Sequence, residues 1–111
     1  MLDDRLPTKL WVAAHIRRCD TQSIPIYVIQ KGEDSRGVVM VKIVISMREC
    51  KLFTQMRDMD GKMVWINAFE SDTVTETEAD QRIAQEKQYD PDLWIIEVES
   101  RDGVNPFEDD L

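Results

Sequence analysis

Apolar runs are short in this 111-residue chain, and none approaches the roughly 20 residues that a helix needs to cross a bilayer. A soluble domain is therefore expected. Cysteine is nearly absent. Cys19 and Cys50 lie far apart with no Cys-x-x-Cys partner, which argues against a zinc site and, in a reducing compartment, against a disulfide. The opening residues Met1-Leu2-Asp3-Asp4-Arg5 lack the basic start and apolar segment of a secretion signal, so a cytoplasmic location is expected. A Gly-rich phosphate loop, a dinucleotide fingerprint and any haem or flavin motif are also missing, and no cofactor is expected. Internal repeats and low-complexity segments are absent as well.

What is present is ordinary globular composition, 42% hydrophobic and 32% charged, in a length that suits one domain with its own core. The net charge is −8, which repels a phosphate backbone at long range and disfavours general nucleic-acid binding. Its distribution is uneven. Residues 1–55 carry +3 and residues 56–111 carry −11, so the basic half is expected to pack beside the acidic half.

Thr8 precedes Lys9-Leu10-Trp11-Val12-Ala13-Ala14-His15-Ile16-Arg17-Arg18-Cys19, a segment free of Gly and Pro with arginines near its end. It reads as a helix capped by the Thr8 hydroxyl. Ser23-Ile24-Pro25 ends it, and Ile26-Tyr27-Val28-Ile29 reads as a first strand. Val39, Val41, Ile43 and Ile45 make one apolar face of a second strand at period two, while Val38, Met40, Lys42, Val44 and Ser46 make the other. Leu52 to Arg57 and Met63 to Phe69 are the third and fourth strands, joined by a tight turn at Asp60-Gly61. Strands two to four are expected to form an antiparallel meander.

Thr75-Glu76-Thr77-Glu78 fits a capping box that starts a second helix running to about Tyr89, with Ala79, Ile83 and Tyr89 as anchors on the sheet. Asp90-Pro91-Asp92 stops it and Leu93 to Glu99 forms the last strand. The expected fold is α+β: a mainly antiparallel sheet of about five strands and two helices in the order α-β-β-β-β-α-β. Trp94, Ile96 and Val98 on one face of the last strand, and Leu93 and Ile95 on the other, suit a position inside the sheet. A meander with helices on one face only is the alternative. The globular domain is placed at residues 1–103, with 104–111 as a flexible acidic tail that has too little to bury.

With Leu6-Pro7-Thr8, Trp11-Val12, Arg17-Arg18, Gly32, Val41-Lys42, Asp60-Gly61, Trp65 and Asp90-Pro91-Asp92-Leu93-Trp94 in view, the chain resembles a bacterial family of short proteins catalogued only as a domain of unknown function. The resemblance runs from about Leu6 to Gly103, and the Asp-Pro-Asp-Leu-Trp run followed by Glu97 and Glu99 is its most distinctive part. It implies a stand-alone bacterial cytosolic domain and brings no catalytic residues with it.

Candidate chemistry is sparse. Glu97 and Glu99 alternate along a strand about 7 Å apart, close enough to share a divalent cation with Asp90, Asp92 or another oxygen ligand. Alternatively they are solvated, or one pairs with Lys42 across the sheet. Pro91-Asp92 before Glu97-Val98-Glu99 invites comparison with metal-dependent nucleases, but both acids fall on one short run and Glu99 stands where those sites need lysine. Lys42, among apolar neighbours, is either a nucleophile with depressed pKa or a stem that ends beside a carboxylate. His15 and Cys19 are one helical turn apart and lack a third group, which makes them structural. Asp58-Met59-Asp60-Gly61 puts Met63 where a calcium loop needs glycine and Phe69 where it needs glutamate, so it is a hairpin turn. The binding candidates are Lys42, Arg17, Arg18 and Trp94. A non-enzymatic protein that acts through protein contacts, as a homodimer or with another chain, is the leading expectation. A carboxylate metal site or small enzyme centred on Glu97 and Glu99 is the rival. Weak nucleic-acid binding through Arg17, Arg18, Lys31 and Arg36 comes third.

Overall fold

The computed structural model describes residues 6–108, and these form one α+β domain. Its elements are α1 Thr8–Thr21, β1 Ile26–Gln30, β2 Val39–Ser46, β3 Glu49–Arg57, β4 Met63–Asn67, α2 Glu76–Tyr89 and β5 Trp94–Glu99. The order is the expected one. In the sheet the strands run β1-β5-β2-β3-β4. β2, β3 and β4 form the antiparallel meander, and β5 enters between β1 and β2, antiparallel to the former and parallel to the latter.

The interior place of β5 follows from its side chains. The register Val41↔Ile96 and Ile43↔Val98 joins two apolar rows on one face, where Val12 of α1 and Phe107 cover them. On the opposite face Met40, Leu52, Leu93 and Ile95 lie beneath Ile83 of α2, with Cys50, Val74 and Ala79 beside them. The two helices therefore cover opposite faces, which excludes one-sided coverage. Each large aliphatic side chain so buried stabilises the fold by about 1.5–3 kcal/mol. Among the described residues no helix is long and apolar enough to cross a membrane.

Local chemistry sets the ends of these elements. At α2 the capping box is complete: Thr75 Oγ1 accepts the Glu78 amide at 3.2 Å, and Glu78 Oε1 accepts the Thr75 amide at 3.1 Å. At α1 the expected Thr8 cap does not form. Pro7 holds the cap position, and the Thr8 hydroxyl instead donates to the carbonyls of Gly37 and Ser35, tying the helix to the β1–β2 loop. The turn after β3 behaves as a hairpin, with Asp58 Oδ1 accepting the amides of Asp60 and Lys62 and Gly61 at φ +80°.

Two expectations about packing are corrected. Tyr89 does not anchor α2: it sits on the helix's last residue at 85% exposure, past the turn that Ile83 buries. Nor does the segment from Val104 have too little to bury. Phe107 is fully enclosed in the core beneath α1, and Trp65 Nε1 donates to its carbonyl at 3.1 Å. One aromatic residue among acidic neighbours was enough to bring the chain back. Residues 109–111 of the expected tail, and the acidic start Met1–Arg5, lie outside the described residues.

Candidate functional site

Lys42 lies at the middle of β2, on the face that α2 covers, at 4% exposure. Glu97 is its neighbour in the parallel register with β5. The capping box sets the start of α2 so that Glu76 and Asp80, one turn apart, both fall over the same point of the sheet. Lys42 Nζ donates to Asp80 Oδ1 at 2.7 Å and Glu76 Oε2 at 2.9 Å, and lies 3.3 Å from Glu97 Oε1. An ammonium has three N–H donors, and here three carboxylates face them. Burial pulls the Lys42 pKa down, but the hydrogen bonds to Asp80 and Glu76 and the charge of Glu97 outweigh it, and the net shift is upward.

This decides between the two readings of Lys42. The contacts match the stem ending beside carboxylates, and those carboxylates favour the protonated amine, which has no lone pair to act as a nucleophile. It also decides much about Glu97. One of its carboxylate oxygens, Oε1, faces the Lys42 ammonium. Glu99 turns to β1, where it accepts the Tyr27 hydroxyl at 3.3 Å; its charge and that hydrogen bond raise the phenol's pKa. Asp90 and Asp92 sit before β5, at the opposite end of the strand from Glu97 and Glu99. Asp90 Oδ1 accepts the Asp92 amide at 3.0 Å, and the Asp92 carbonyl accepts the Glu33 amide at 2.9 Å, so both shape a turn. The four acids are not gathered. Among the described residues no group of three or more His, Cys, Asp and Glu is placed to hold a metal ion.

The remaining candidates are dispersed. Trp94 is buried in the core, its Nε1 donating to the Glu33 carbonyl at 2.8 Å, so it offers no contact surface. Arg18 donates to the Pro106 carbonyl and helps to hold the C-terminal segment, while Arg17 is exposed. Lys31 and Arg36 stand on the β1–β2 loop, whose Asp34 and Ser35 carbonyls accept the Lys9 and Thr8 amides at the start of α1, while Arg17 lies near its end. His15 and Cys19 are both buried. The His15 ring packs 4.2 Å from Trp11 and 5.0 Å from Phe107, and burial raises the Cys19 thiol pKa.

One surface was not anticipated. α2 covers β2 and β3 and leaves the β1 side of the same face open, where Ile29, Ile83, Ala84, Ile95 and Lys87 line a shallow cleft of about 160 Å³ that reaches Lys42, Asp80 and Glu97. Such a volume is small beside the roughly 300–1,000 Å³ of ordinary small-molecule sites. Along its rim runs β1, an edge strand, with Tyr27 at 50%, Val28 at 41% and Ile29 at 55% exposure. Edge strands are commonly protected by charges or proline, and Ile26–Gln30 holds neither. The uncharged composition was visible in the sequence; the edge position was not, because it depends on where β5 inserts.

Comparison with known proteins agrees with this architecture. A crystal structure and an NMR structure of a DUF1491 family protein from Caulobacter crescentus CB15 each match at TM-score 0.79 and 33% identity, covering 90% and 91% of this chain and 92% and 91% of theirs. The solution structure of protein Atu0922 from A. tumefaciens shares the fold at TM-score 0.71 and 22% identity, over 86% of both chains. No curated protein matches. A family model described as protein of unknown function (DUF1491) matches residues 6–108, a span that includes the buried Phe107. The chain belongs to the DUF1491 family, whose function is unknown.

Proposed function

We propose that this is a non-enzymatic cytoplasmic protein that works by docking another polypeptide along the open edge of β1. The observation that carries the reading is the run Tyr27-Val28-Ile29, three consecutive exposed apolar residues on an uncharged edge strand beside an apolar cleft. Two buried free thiols, Cys19 and Cys50, suit a reducing compartment. The polar cluster around Lys42 supports the same reading, since its ammonium is engaged by three carboxylates.

The ladder fixes which backbone groups are available. The Glu99 amide donates to the Pro25 carbonyl, and the register continues as Ile26↔Val98 and Tyr27↔Glu97. In an antiparallel pair, hydrogen-bonded positions alternate, so Pro25 and Tyr27 bond inward to β5 while the amides and carbonyls of Ile26 and Val28 face the open edge. An added strand would bond there and place its side chains against Tyr27 and Ile29. The test is capture from native cells with the wild-type chain and with Val28→Pro, which removes the outward amide and leaves the inward ladder whole. A stoichiometric protein partner held by the wild type and lost from the variant is expected. Capture that is indifferent to Val28 contradicts the reading.

A further inference from the structure

We infer that residues 104–108 form a strap that opens about Gly103 as a unit, uncovering an aromatic pocket of Trp11, His15 and Trp65 while the sheet stays folded. The strap lies on the face opposite the cleft, so its opening is separate from docking at β1. Its anchor is one side chain. Phe107 is fully buried, with its ring centroid 5.5 Å from that of Trp11, 5.0 Å from His15 and 6.3 Å from Trp65.

The backbone adds little to that anchor. Among the described residues, the strap's own backbone hydrogen bond runs from the Glu108 amide to the Asn105 carbonyl, and none joins its backbone to that of the sheet or of α1. Side chains tie it down instead: Arg18 donates to the Pro106 carbonyl, and Trp65 Nε1 donates to the Phe107 carbonyl at 3.1 Å. One group opposes closure. Asn105 is 5% exposed, and while its Oδ1 accepts the Phe107 amide at 3.0 Å, its Nδ2 is buried without a hydrogen-bond partner. Water satisfies that donor once the strap lifts. The hinge is a glycine at φ +72°, in a turn where the Gly103 amide donates to the Ser100 carbonyl. On the other face, Met40, Leu52, Ile83, Leu93 and Ile95 form a core to which the strap contributes nothing. A segment joined to its fold by so few buried contacts opens more readily than the whole unfolds.

The experiment is hydrogen exchange of the full chain, followed by NMR in rising urea below the unfolding transition. The Trp65 indole N–H is the reporter, because its acceptor is a strap carbonyl. Its exchange is expected to be faster than that of the β5 amides and nearly independent of urea, since lifting so short a segment exposes little surface. The β5 amides, released only with the whole fold, should speed up steeply as urea rises. Two variants place the opening in the strap. In Gly103→Ala the closed hinge is strained by its left-handed backbone and by a Cβ 3.1 Å from Ile45 Cδ1, and Phe107→Leu weakens the anchor. Each should raise the indole rate about tenfold and leave it insensitive to urea. An indole proton with the same urea dependence as the β5 amides overturns the inference, because the strap then leaves only when everything does. Indole exchange unaltered in both variants also overturns it, by assigning the motion to the edge of β4.

Discussion

Lys42 shows how one buried charge can organise a face of a sheet. Its three carboxylates come from two elements, Glu97 on β5 and Glu76 with Asp80 on α2, so the ammonium fastens the helix to the strands. Removing it leaves three like charges together over an apolar floor. Lys42→Met is therefore expected to lower stability by about 2–3 kcal/mol, below the full value for a buried pair because the carboxylates are partly wet. Glu97→Gln, which leaves Lys42 two partners, should lose about 1 kcal/mol or less. Urea unfolding at pH 7 checks both, and a Lys42→Met variant as stable as the wild type would show that the network only offsets its own desolvation.

The same residue predicts an alkaline limit. The raised pKa means that the folded chain holds the Lys42 proton more tightly than the unfolded chain does. That contribution is complete below the unfolded value of about 10.4 and is lost as pH rises through the folded one. The buried thiols of Cys19 and Cys50, also raised, act in the same sense from about pH 8.5. Unfolding free energy should thus begin to fall above about pH 8.5, later in a Cys19→Ala/Cys50→Ala background, and less again when Lys42→Met is added. An identical alkaline slope in all three proteins would contradict these assignments.

At the scale of elements, the β1–β2 loop and the C-terminal segment do more than connect. A Cβ on Gly37 would stand 2.7 Å from the Asp92 carbonyl and 2.8 Å from Cδ1 of Trp94, so the loop lies flat against the start of β5 only because glycine is there. Gly37→Ala should destabilise by about 1–3 kcal/mol. Phe107→Ala empties the space among Val12, Trp11 and Trp65 and should lose about 3–5 kcal/mol, read as a lower urea midpoint. A loss under 1 kcal/mol would mean that the segment after Gly103 is dispensable.

Element identity was legible in the chain because period-two rows such as Val39, Val41 and Ile43, and the Thr75 capping box, act locally. The two apolar faces of Leu93 to Val98 also foretold an interior strand. What was hidden depends on distant partners. The Thr8 hydroxyl had a better acceptor in the β1–β2 loop than in its own helix, and Phe107 was recruited by Trp11 and Trp65. For the site, the pairing of Lys42 with Glu97 was among the readings the alternation allowed, but Glu76 and Asp80 were not: Ala79 and Ile83 mark the side of α2 that meets the sheet, yet nothing local says which strand residue lies beneath it. The exposure of β1 was hidden for the same reason.

At the scale of the whole molecule, the asymmetry of charge finds a structural outlet. Lys42 and Lys51, from the basic half, pair with Glu76, Asp80, Glu97 and Asp72 from the acidic half. The β1 edge of the sheet, with its exposed run Tyr27-Val28-Ile29, is the surface assigned to a partner, and docking there is the central claim. Residue-resolved amide hydrogen exchange tests it most directly. In dilute, monomeric protein the outward amides of Ile26 and Val28 should exchange freely while that of Tyr27 is protected by β5. On association, with a second copy or another chain, protection should appear at Ile26 and Val28. Association that protects some other surface and leaves those two amides open would contradict the account.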